Sequence, residues 1–482
     1  MTKLISGNWL WLLLVLLFSL CVLAVQPAKP VWVDECYTYY GVSHDSFDEF
    51  WRSMCCGVNF APPLYFFLNW LLQLVLPSSI EILRMESLVM ISVAVTLTFV
   101  ACKRHLGTIP SVIGCFTIFS QSELLFTQAF EARHYAMFAL ASALVLITFP
   151  PYGRFNSRLH STSHFVAHVA LNLIHYVGIV FSILSACSRF WRNRENGIKS
   201  IPAPEIASWL CSIPIYVILL SGQSSHLGEW ERPNDLEALL EMFLDSFSPL
   251  TLVIPVAAYL FYTKTDTLRS AINHRLNMVL LSVFWTVTPI LFWLLSHVSS
   301  LNLFKDRYFI PKELALMVLL SFCIHNLMKI RINRTQLKTH FLPISACILC
   351  TIPILLLSVK RKLFAYDPSR NYYHSLIEKS PHKSDRAKVY FGDHIYFPNL
   401  ILNKTEDIGL LHLPAHLIEV YNDFSKCVRS VQTEELMVLD KFLTAGDKQT
   451  SPKDLFTDHK QRALLQPLRN SSIIYFEYNR TK

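Results

Sequence analysis

The sequence has little charge for its length. Of its 482 residues only 16% are Asp, Glu, Lys or Arg, whereas 52% are hydrophobic, and the mean hydropathy is +0.36. A chain of this composition lacks the polar surface that a soluble enzyme of this size needs in water. It also lacks an internal repeat, a low-complexity tract and a Gly-rich phosphate-binding loop. The composition therefore predicts a multi-span membrane protein.

The formal net charge of +8 does not by itself identify an anionic partner. Much of it lies in short loops between apolar runs, where Lys and Arg mark the cytosolic side of a membrane. We therefore expect no nucleic-acid partner. The twelve cysteines are scattered, and those in or beside apolar runs are typical of buried apolar side chains rather than metal or redox sites. These are Cys102, Cys115, Cys187, Cys211, Cys323 and the Cys347-x-x-Cys350 pair.

Eleven apolar runs predict transmembrane helices. They lie at 9–25, 62–77, 83–101, 109–127, 136–150, 164–188, 204–220, 248–263, 278–298, 312–328 and 341–358. No convincing cleavage signal follows the first run, so we interpret residues 1–25 as a retained signal-anchor helix. The pattern predicts an all-α polytopic protein, with a lumenal loop at 26–61 and a multi-span domain at 62–358.

The charges flanking these runs predict their orientation. In the second half of the chain, basic loops alternate cleanly with the loops at 221–247 and 299–311, which we expect to be lumenal. In the first half, simple alternation would make Lys103-Arg104-His105 lumenal and Glu131 and Arg133 cytosolic. A re-entrant segment near 62–82, or a short hairpin turning at His175, would reverse this. The sequence leaves both alternatives open.

After Val359 the composition becomes polar and mixed, with aromatic clusters such as Tyr390-Phe391 and Ile474-Tyr475-Phe476. We expect residues 359–482 to form a small α+β lumenal C-terminal domain, because enough aromatic and branched residues remain to build a core. Glycosylation sequons at Asn403, Asn470 and Asn479 are compatible with that side of the membrane.

The first lumenal loop contains adjacent carboxylates, Asp34 and Glu35. Acidic residues beside a membrane span are costly unless they face water or a polar partner, which makes the pair a functional hypothesis. The alternative is that they are solvated loop acids. Further along the loop, apolar residues at helical spacing predict an interfacial helix: Phe47, Phe50, Trp51 and Met54. Cys36, Cys55 and Cys56 share the oxidising side and would allow a disulfide, whose pairing the sequence does not define.

The order of short motifs along the chain resembles that of the GT-C glycosyltransferases, polytopic enzymes that take a sugar from a polyprenyl-phosphate carrier, especially the relatives of protein O-mannosyltransferases and ArnT. The matching motifs are Asp34-Glu35, Pro62-Pro63-Leu64-Tyr65, Phe126-Thr127-Gln128-Ala129-Phe130-Glu131-Ala132-Arg133-His134-Tyr135, His175-Tyr176 and Arg307-Tyr308. Each match is short, but their shared order covers roughly 300 residues. The chain departs from the family at Phe60-Ala61, where a more polar residue is common before Pro-Pro.

The resemblance implies a role for each motif. Asp34 would be the general base of an inverting transfer, and Glu35 would position the acceptor, orient Asp34 or hold a metal. Arg307 would bind the donor phosphate bidentately, with Tyr308 beside it. Arg307 snorkelling to lipid headgroups, with Tyr308 as an interface aromatic, is the alternative.

Two further motif matches also have a structural explanation that requires no role in catalysis. The resemblance implies that Glu131 and Arg133 assist at the donor phosphate, whereas an internal ion pair is the alternative. His175 matches the family's His-Tyr motif, but a histidine inside an apolar run is often a hydrogen-bonded structural residue.

The resemblance therefore implies an enzyme that transfers a hexose, with mannose as the first expectation, from a dolichyl- or polyprenyl-phosphate carrier. The acceptor would be a protein, lipid or glycan on the lumenal side of the endoplasmic reticulum membrane. The family has metal-dependent and metal-independent members, so the resemblance allows a divalent metal cofactor but does not assign one. A transporter is one rival class, although no duplicated halves with Gly- or Pro-broken spans occur. A degenerate, scaffolding family member is the other.

Overall fold

The computed structural model describes a helical membrane protein with a small sheet. The described residues are 7–26, 33–55, 61–76, 79–150, 155–193, 201–223, 236, 239–240, 276–298, 304–329, 387–391, 462–468 and 471–477. They belong to two compact units. One comprises Met1–Pro27 and Phe60–Leu363, and the other comprises Ala28–Asn59 and Phe364–Lys482.

The first unit is a bundle of apolar helices. Within the described residues these are α1 (Gly7–Val25), α4 (Leu64–Gln73), α5 (Ile80–Leu106), α6 (Thr108–Gln121), α7 (Glu123–Gln128), α8 (Tyr135–Thr148), α9 (Arg158–Ile174), α10 (Gly178–Asn193), α11 (Ala203–Gln223), α12 (Leu276–Thr286), α13 (Thr288–Val298) and α14 (Ile310–Lys329), with a 3₁₀ helix at Asp306–Phe309 before α14. Among the helices that the structure describes, four segments are long and apolar enough to cross a membrane. The predicted all-α polytopic architecture is confirmed. The predicted spans at 248–263 and 341–358 lie outside the described residues.

Helix α5 is the longest described element of the bundle. Its 27 residues extend about 40 Å at 1.5 Å per residue. Ser79 caps its first turn by accepting a hydrogen bond from the Ile82 N–H, and Lys103, Arg104 and His105 lie in its last turn, where cations are favourable. The Lys103 ammonium donates to Asn8 at the start of α1. The start of α1 and the basic end of α5 therefore lie together.

Helix α4 does not cross the bundle. Its 10 residues extend about 15 Å, half of a typical hydrocarbon core. The Asn69 amide donates to Glu86 Oε1 at 3.4 Å, near the beginning of α5, so α4 stays at the end of α5 that is opposite to Lys103. The run at 62–77 is thus re-entrant, which corrects the expectation of a full span and matches one of the two alternatives.

The run at 164–188 is also corrected, because it contains parts of two antiparallel helices. Helices α9 and α10 meet at an extended residue, His175 (φ −147°, ψ 135°), and fold back on each other. Ser182 Oγ on α10 lies 2.8 Å from His168 Nδ1 on α9. A Cβ on Gly178 would lie 2.2 Å from the Leu171 carbonyl oxygen, so only glycine permits this approach. The chain therefore turns at His175, as the second alternative supposed.

Together, these two corrections resolve the orientation conflict in the first half. Ser87, near the beginning of α5, donates to the Glu131 carbonyl at 2.6 Å. Glu131 and Arg133 consequently lie near one end of α5, and Lys103 lies near the other. The basic end of α5 lies where α1 begins, whereas simple alternation of spans would place it at the opposite end of the bundle from the start of α1.

The second unit contains two helices and a sheet. Helix α2 (Val33–Val42) begins at the Asp34-Glu35 pair, and α3 (Phe47–Cys55) confirms the helix predicted from its apolar spacing. Strands β1 (Ala387–Phe391), β2 (Arg462–Leu468) and β3 (Ser471–Glu477) form an antiparallel sheet in the order β1-β3-β2. The two aromatic clusters of the tail pair in this sheet, with Tyr390 opposite Ile474.

Other expectations fall partly or wholly outside the described residues. Cys55 is a free thiol, and nothing further is described for the side chain of Cys36 or for Cys56. The three sequons at Asn403, Asn470 and Asn479 also lie outside, as does the Cys347-x-x-Cys350 pair. The lumenal C-terminal domain at 359–482 and the other domain limits remain predictions.

Candidate functional site

Three segments of the first unit converge at one end of the bundle. They are the connection between α7 and α8, the turn between α9 and α10, and the 3₁₀ helix Asp306–Phe309. Each contributes residues that the sequence singled out: Glu131 and Arg133 from the first, His175 from the second, and Arg307 and Tyr308 from the third. Ring contacts join these segments, so residues far apart in sequence form one cluster.

Tyr135, the first residue of α8, is contacted by two arginines. The Cζ atom of Arg133 lies 5.8 Å from the centre of the Tyr135 ring, and that of Arg307 lies 5.6 Å from the same centre. Both distances are within the range of cation–π attraction. The ring is buried, so it is a fixed platform that both guanidinium groups contact.

His175 lies in a cage of rings beside this platform. Its ring centre is 5.5 Å from that of Tyr135, 5.0 Å from that of His134 and 4.7 Å from that of Tyr308, the last in edge-to-face geometry. The Val177 N–H donates to His175 Nδ1 at 3.2 Å. Because Nδ1 accepts this bond, the proton of the neutral ring is assigned to Nε2. The turn at His175 therefore fixes both the position and the tautomer of the imidazole.

The Glu131 segment is held by polar contacts to neighbouring elements. The Gln128 amide donates to Glu131 Oε2 at 3.0 Å, and the Arg133 N–H donates to the Glu131 carbonyl at 2.8 Å. Together with the bond from Ser87, these contacts hold the backbone from which Arg133 and Tyr135 project. Glu131 thus shapes the cluster through its main chain as well as its carboxylate.

His134 is a member of the cluster that the sequence interpretation did not select. It is buried, and neither of its ring nitrogens has a hydrogen-bond partner among the described residues. Burial, and then the nearby His175, Arg133 and Arg307, lower the pKa of His134 well below its usual range. The ring is therefore neutral at physiological pH, with one donor and one acceptor available. Its place inside the matched Arg133-His134-Tyr135 motif was the one signal for it.

Asp34 and Glu35 belong to the second unit, in the first turn of α2. Glu35 is fully buried, whereas the side chain of Asp34 lies outside the described atoms. A buried carboxylate of this kind needs polar or charged neighbours, so the alternative that Glu35 is a solvated loop acid is wrong. The role of Asp34 as a base stays a prediction.

The charge and shape of the cluster define what it can bind. Two guanidinium groups on one buried ring, together with imidazole and phenol groups, suit an anion with several acceptor oxygens, such as a phosphate ester. A second polar cluster is formed by His164 and His168, which precede His175 on α9, and by Glu205 on α11. The sequence interpretation missed it, although the His-x-x-x-His spacing places both rings on one helix face.

The fold of the chain is similar to that of a solved structure. The crystal structure of ArnT from Cupriavidus metallidurans bound to undecaprenyl phosphate matches 98% of this chain and 98% of its own, with a TM-score of 0.59 and 11% sequence identity. A structure of ArnT from the same organism in the apo state matches 72% of this chain and 65% of its own, with a TM-score of 0.46 and 13% identity. No protein-family model matches the sequence, and the search of curated proteins finds no significant match. The predicted GT-C architecture is confirmed as a fold.

Proposed function

We propose that the protein is a membrane glycosyltransferase that takes a sugar from a polyprenyl- or dolichyl-phosphate carrier. The observation that carries this proposal is the pair of guanidinium groups held on the Tyr135 ring at one end of a GT-C bundle. The neighbour with the same fold is bound to undecaprenyl phosphate, a ligand of the chemistry that such a pair suits. A carrier lipid would reach this end of the bundle sideways from the bilayer.

In this proposal, Arg133 and Arg307 bind the phosphate oxygens of the donor. As the bond between the anomeric carbon and the phosphate breaks, negative charge develops on the phosphate oxygen, and fixed guanidinium groups stabilise it. Phosphate is a good leaving group, so no second carboxyl is needed to protonate it, in contrast to glycoside hydrolysis. The Nε2–H of His175 and the neutral ring of His134 are suited to bind the phosphate or a sugar hydroxyl.

Asp34 is the proposed general base. It would accept the proton of the acceptor hydroxyl while that oxygen attacks the anomeric carbon and inverts its configuration. Glu35 would position the acceptor or orient Asp34. The motif order supports these roles, together with the position of both residues in the first turn of α2. Mannose is the proposed sugar, and a protein, lipid or glycan is the acceptor.

The direct test is incubation of membranes containing the full chain with a panel of radiolabelled dolichyl-phosphate sugars. Label is then counted in the protein, lipid and glycan fractions. The proposal expects transfer from one of these donors and none from the matching sugar nucleotides. Transport of a labelled solute into sealed vesicles, without transfer from any lipid donor, would instead favour the transporter class.

We also propose that the Arg133–Arg307 end of the bundle faces the lumen of the endoplasmic reticulum. The basic residues at the opposite end support this orientation through the positive-inside rule. Single cysteines in a cysteine-free background provide the test, at Glu123 on α7 for one end and at Arg158 on α9 for the other, since both side chains are exposed. In sealed microsomes, a membrane-impermeant thiol reagent should label only Arg158→Cys. Labelling of Glu123→Cys alone would reverse the orientation.

Glycosylation of residues 359–482 provides a second test of the proposed orientation. If residues 359–482 are lumenal, endoglycosidase should increase the mobility of the full-length protein, and substitution of Asn403, Asn470 and Asn479 together should abolish the shift. Digestion of the tail by protease in sealed microsomes would contradict this placement.

A further inference from the structure

A second buried polar cluster joins α9, α10 and α11, apart from the proposed transferase site. Its members are His164, His168, Glu205, Arg189 and Ser182, all of which are buried. His168 precedes His175 by two helical turns on α9, a rise of about 10 Å. A cluster of this polarity inside an apolar bundle needs a physical explanation, because an unmatched polar group there is costly.

Three lone-pair-bearing atoms of this cluster face one another. His164 Nε2 lies 3.2 Å from His168 Nε2 and 3.3 Å from Glu205 Oε1, and all three ligand atoms lie within 4.8 Å of each other. Zinc–nitrogen and zinc–oxygen bonds of about 2.0–2.1 Å give a tetrahedron with edges of about 3.3–3.4 Å. The two measured separations therefore match the edges of a tetrahedral zinc site.

The opposite ring nitrogens are held so that the lone pairs point inward. The Thr148 hydroxyl donates its only proton to the Leu144 carbonyl at 2.6 Å, so at 3.0 Å its oxygen accepts from His164 Nδ1–H. The proton of the neutral His164 ring is therefore on Nδ1, and Nε2 carries a lone pair aimed at Glu205. Such hydroxyl contacts behind a ligating histidine fix its tautomer and orientation.

His168 and Glu205 are held in the same way. Ser182 Oγ lies 2.8 Å from His168 Nδ1, and it accepts a bond from the Trp209 indole N–H at 2.8 Å. It can accept from His168 Nδ1–H as well, which leaves His168 Nε2 free to ligate. Arg189 Nη1 lies 3.2 Å from Glu205 Oε2, so the carboxylate presents its other oxygen, Oε1, to the imidazoles.

We propose that His164, His168 and Glu205 bind a Zn²⁺ ion that joins α9 to α11, with water as the fourth ligand. The alternative is that His164 Nε2 carries a proton, which would lie between these atoms in place of a metal ion. One proton can bridge only two of the three atoms, and it leaves the third facing a lone pair. A divalent cation accepts a lone pair from all three, as the two-histidine, one-carboxylate ligand set does in other zinc proteins.

The test is the zinc content of the full chain, purified in detergent, loaded with Zn²⁺ and desalted. We expect about one zinc per chain, loss of that zinc in His168→Ala and in Glu205→Gln, and retention in His160→Ala. His160 is the matched control because it lies one turn before His164 on α9, and its Nε2–H donates to the Thr148 carbonyl at 2.8 Å instead of joining the cluster. Absence of zinc from the wild-type chain, or equal zinc in all four proteins, would overturn the proposal.

A second measurement uses the wild-type chain alone, in case a variant fails to fold. Co²⁺ bound by two imidazoles and a carboxylate gives visible absorption, which Zn²⁺ should displace with a stoichiometry of about one per chain. A Co²⁺ spectrum without this absorption would assign the cluster to a protonated His164 ion pair. Neither readout depends on sugar transfer, so failure here is distinguishable from failure of the proposed transferase function.

Discussion

Arg133 and Arg307 lie 5.8 and 5.6 Å from the centre of one buried Tyr135 ring. Guanidinium groups are planar, permanently charged donors that suit an anion with several acceptor oxygens. The arrangement is therefore poised for an anionic ligand, and each residue of it gives a separate prediction.

The first prediction concerns the shape of the Arg307 side chain. Arg307→Lys keeps the charge but removes the planar fork, so one charge-assisted hydrogen bond to the donor phosphate is lost. Such a bond contributes about 1.5–3 kcal/mol, so affinity for the lipid-phosphate sugar should fall roughly 10- to 150-fold. Arg133→Lys should behave similarly. Binding of a radiolabelled donor to the purified protein measures the effect.

The matched control for the arginine variants is Arg158→Lys, at an exposed position in the first turn of α9. It should leave donor affinity unchanged. If Arg307→Lys and Arg158→Lys bind the donor equally well, Arg307 does not bind the phosphate and the headgroup-snorkelling alternative is favoured.

The second prediction concerns the platform. Tyr135→Phe keeps the aromatic face that both guanidinium groups approach, whereas Tyr135→Leu removes it. Loss of a cation–π contact of about 0.5–2 kcal/mol predicts a decrease in donor affinity of about 2- to 30-fold for Tyr135→Leu. Tyr135→Phe should lie much closer to the wild type in the same binding assay. Equal effects of both variants would show that the ring face does not orient the arginines.

The third prediction concerns the hairpin that positions His175. In Gly178→Ala the new Cβ would lie 2.2 Å from the Leu171 carbonyl oxygen, so α10 must move away from α9. Overpacking of this kind costs about 1–3 kcal/mol and should lower the apparent melting temperature. Ile183→Ala on the same helix, where the side chain is 41% exposed, is the control and should melt near the wild-type temperature. Equal melting temperatures for Gly178→Ala and wild type would contradict the close helix approach.

The sequence predicted the helices well, because apolar runs in a membrane protein have few other solutions. It left open where the chain turns, with a re-entrant segment near 62–82 and a hairpin at His175 as alternatives. The run at 164–188 reads as one span, since its break at His175-Tyr176-Val177 uses residue types that also occur inside helices. The tight contact of Gly178 with Leu171, which makes the hairpin, depends on tertiary packing and leaves little trace in hydropathy.

The candidate site was predicted in its membership more than in its geometry. The motif order selected Glu131, Arg133, His175, Arg307 and Tyr308, and the last four gather around Tyr135, with Glu131 beside them in the chain. Tyr135 itself was part of the matched motif, but its role as a shared platform needs the three-dimensional distances. His134 was missed because a histidine between two motif residues has no periodic signal, and its burial could not be inferred from composition.

The fourth prediction concerns Glu35, the neighbour of the proposed base Asp34. Because Glu35 is buried, Glu35→Gln removes a buried charge, and we expect transfer activity intermediate between those of the wild type and Asp34→Asn. If Asp34→Asn keeps near-normal transfer and Glu35→Gln is inactive, the two carboxylates have exchanged roles.

The central claim is that Asp34 is the base of a transfer from a lipid-phosphate sugar. The most direct measurement is the single-turnover rate of sugar transfer by Asp34→Asn at saturating donor. The control is Asp48→Asn in helix α3, because the Asp48 carboxylate is exposed and forms an ion pair with Arg52 at 2.6 Å. Loss of a positioned base predicts a rate about 10²- to 10⁴-fold lower for Asp34→Asn, with donor binding unchanged, and a near-normal rate for Asp48→Asn. Equal rates for Asp34→Asn, Glu35→Gln and the wild type would contradict the account.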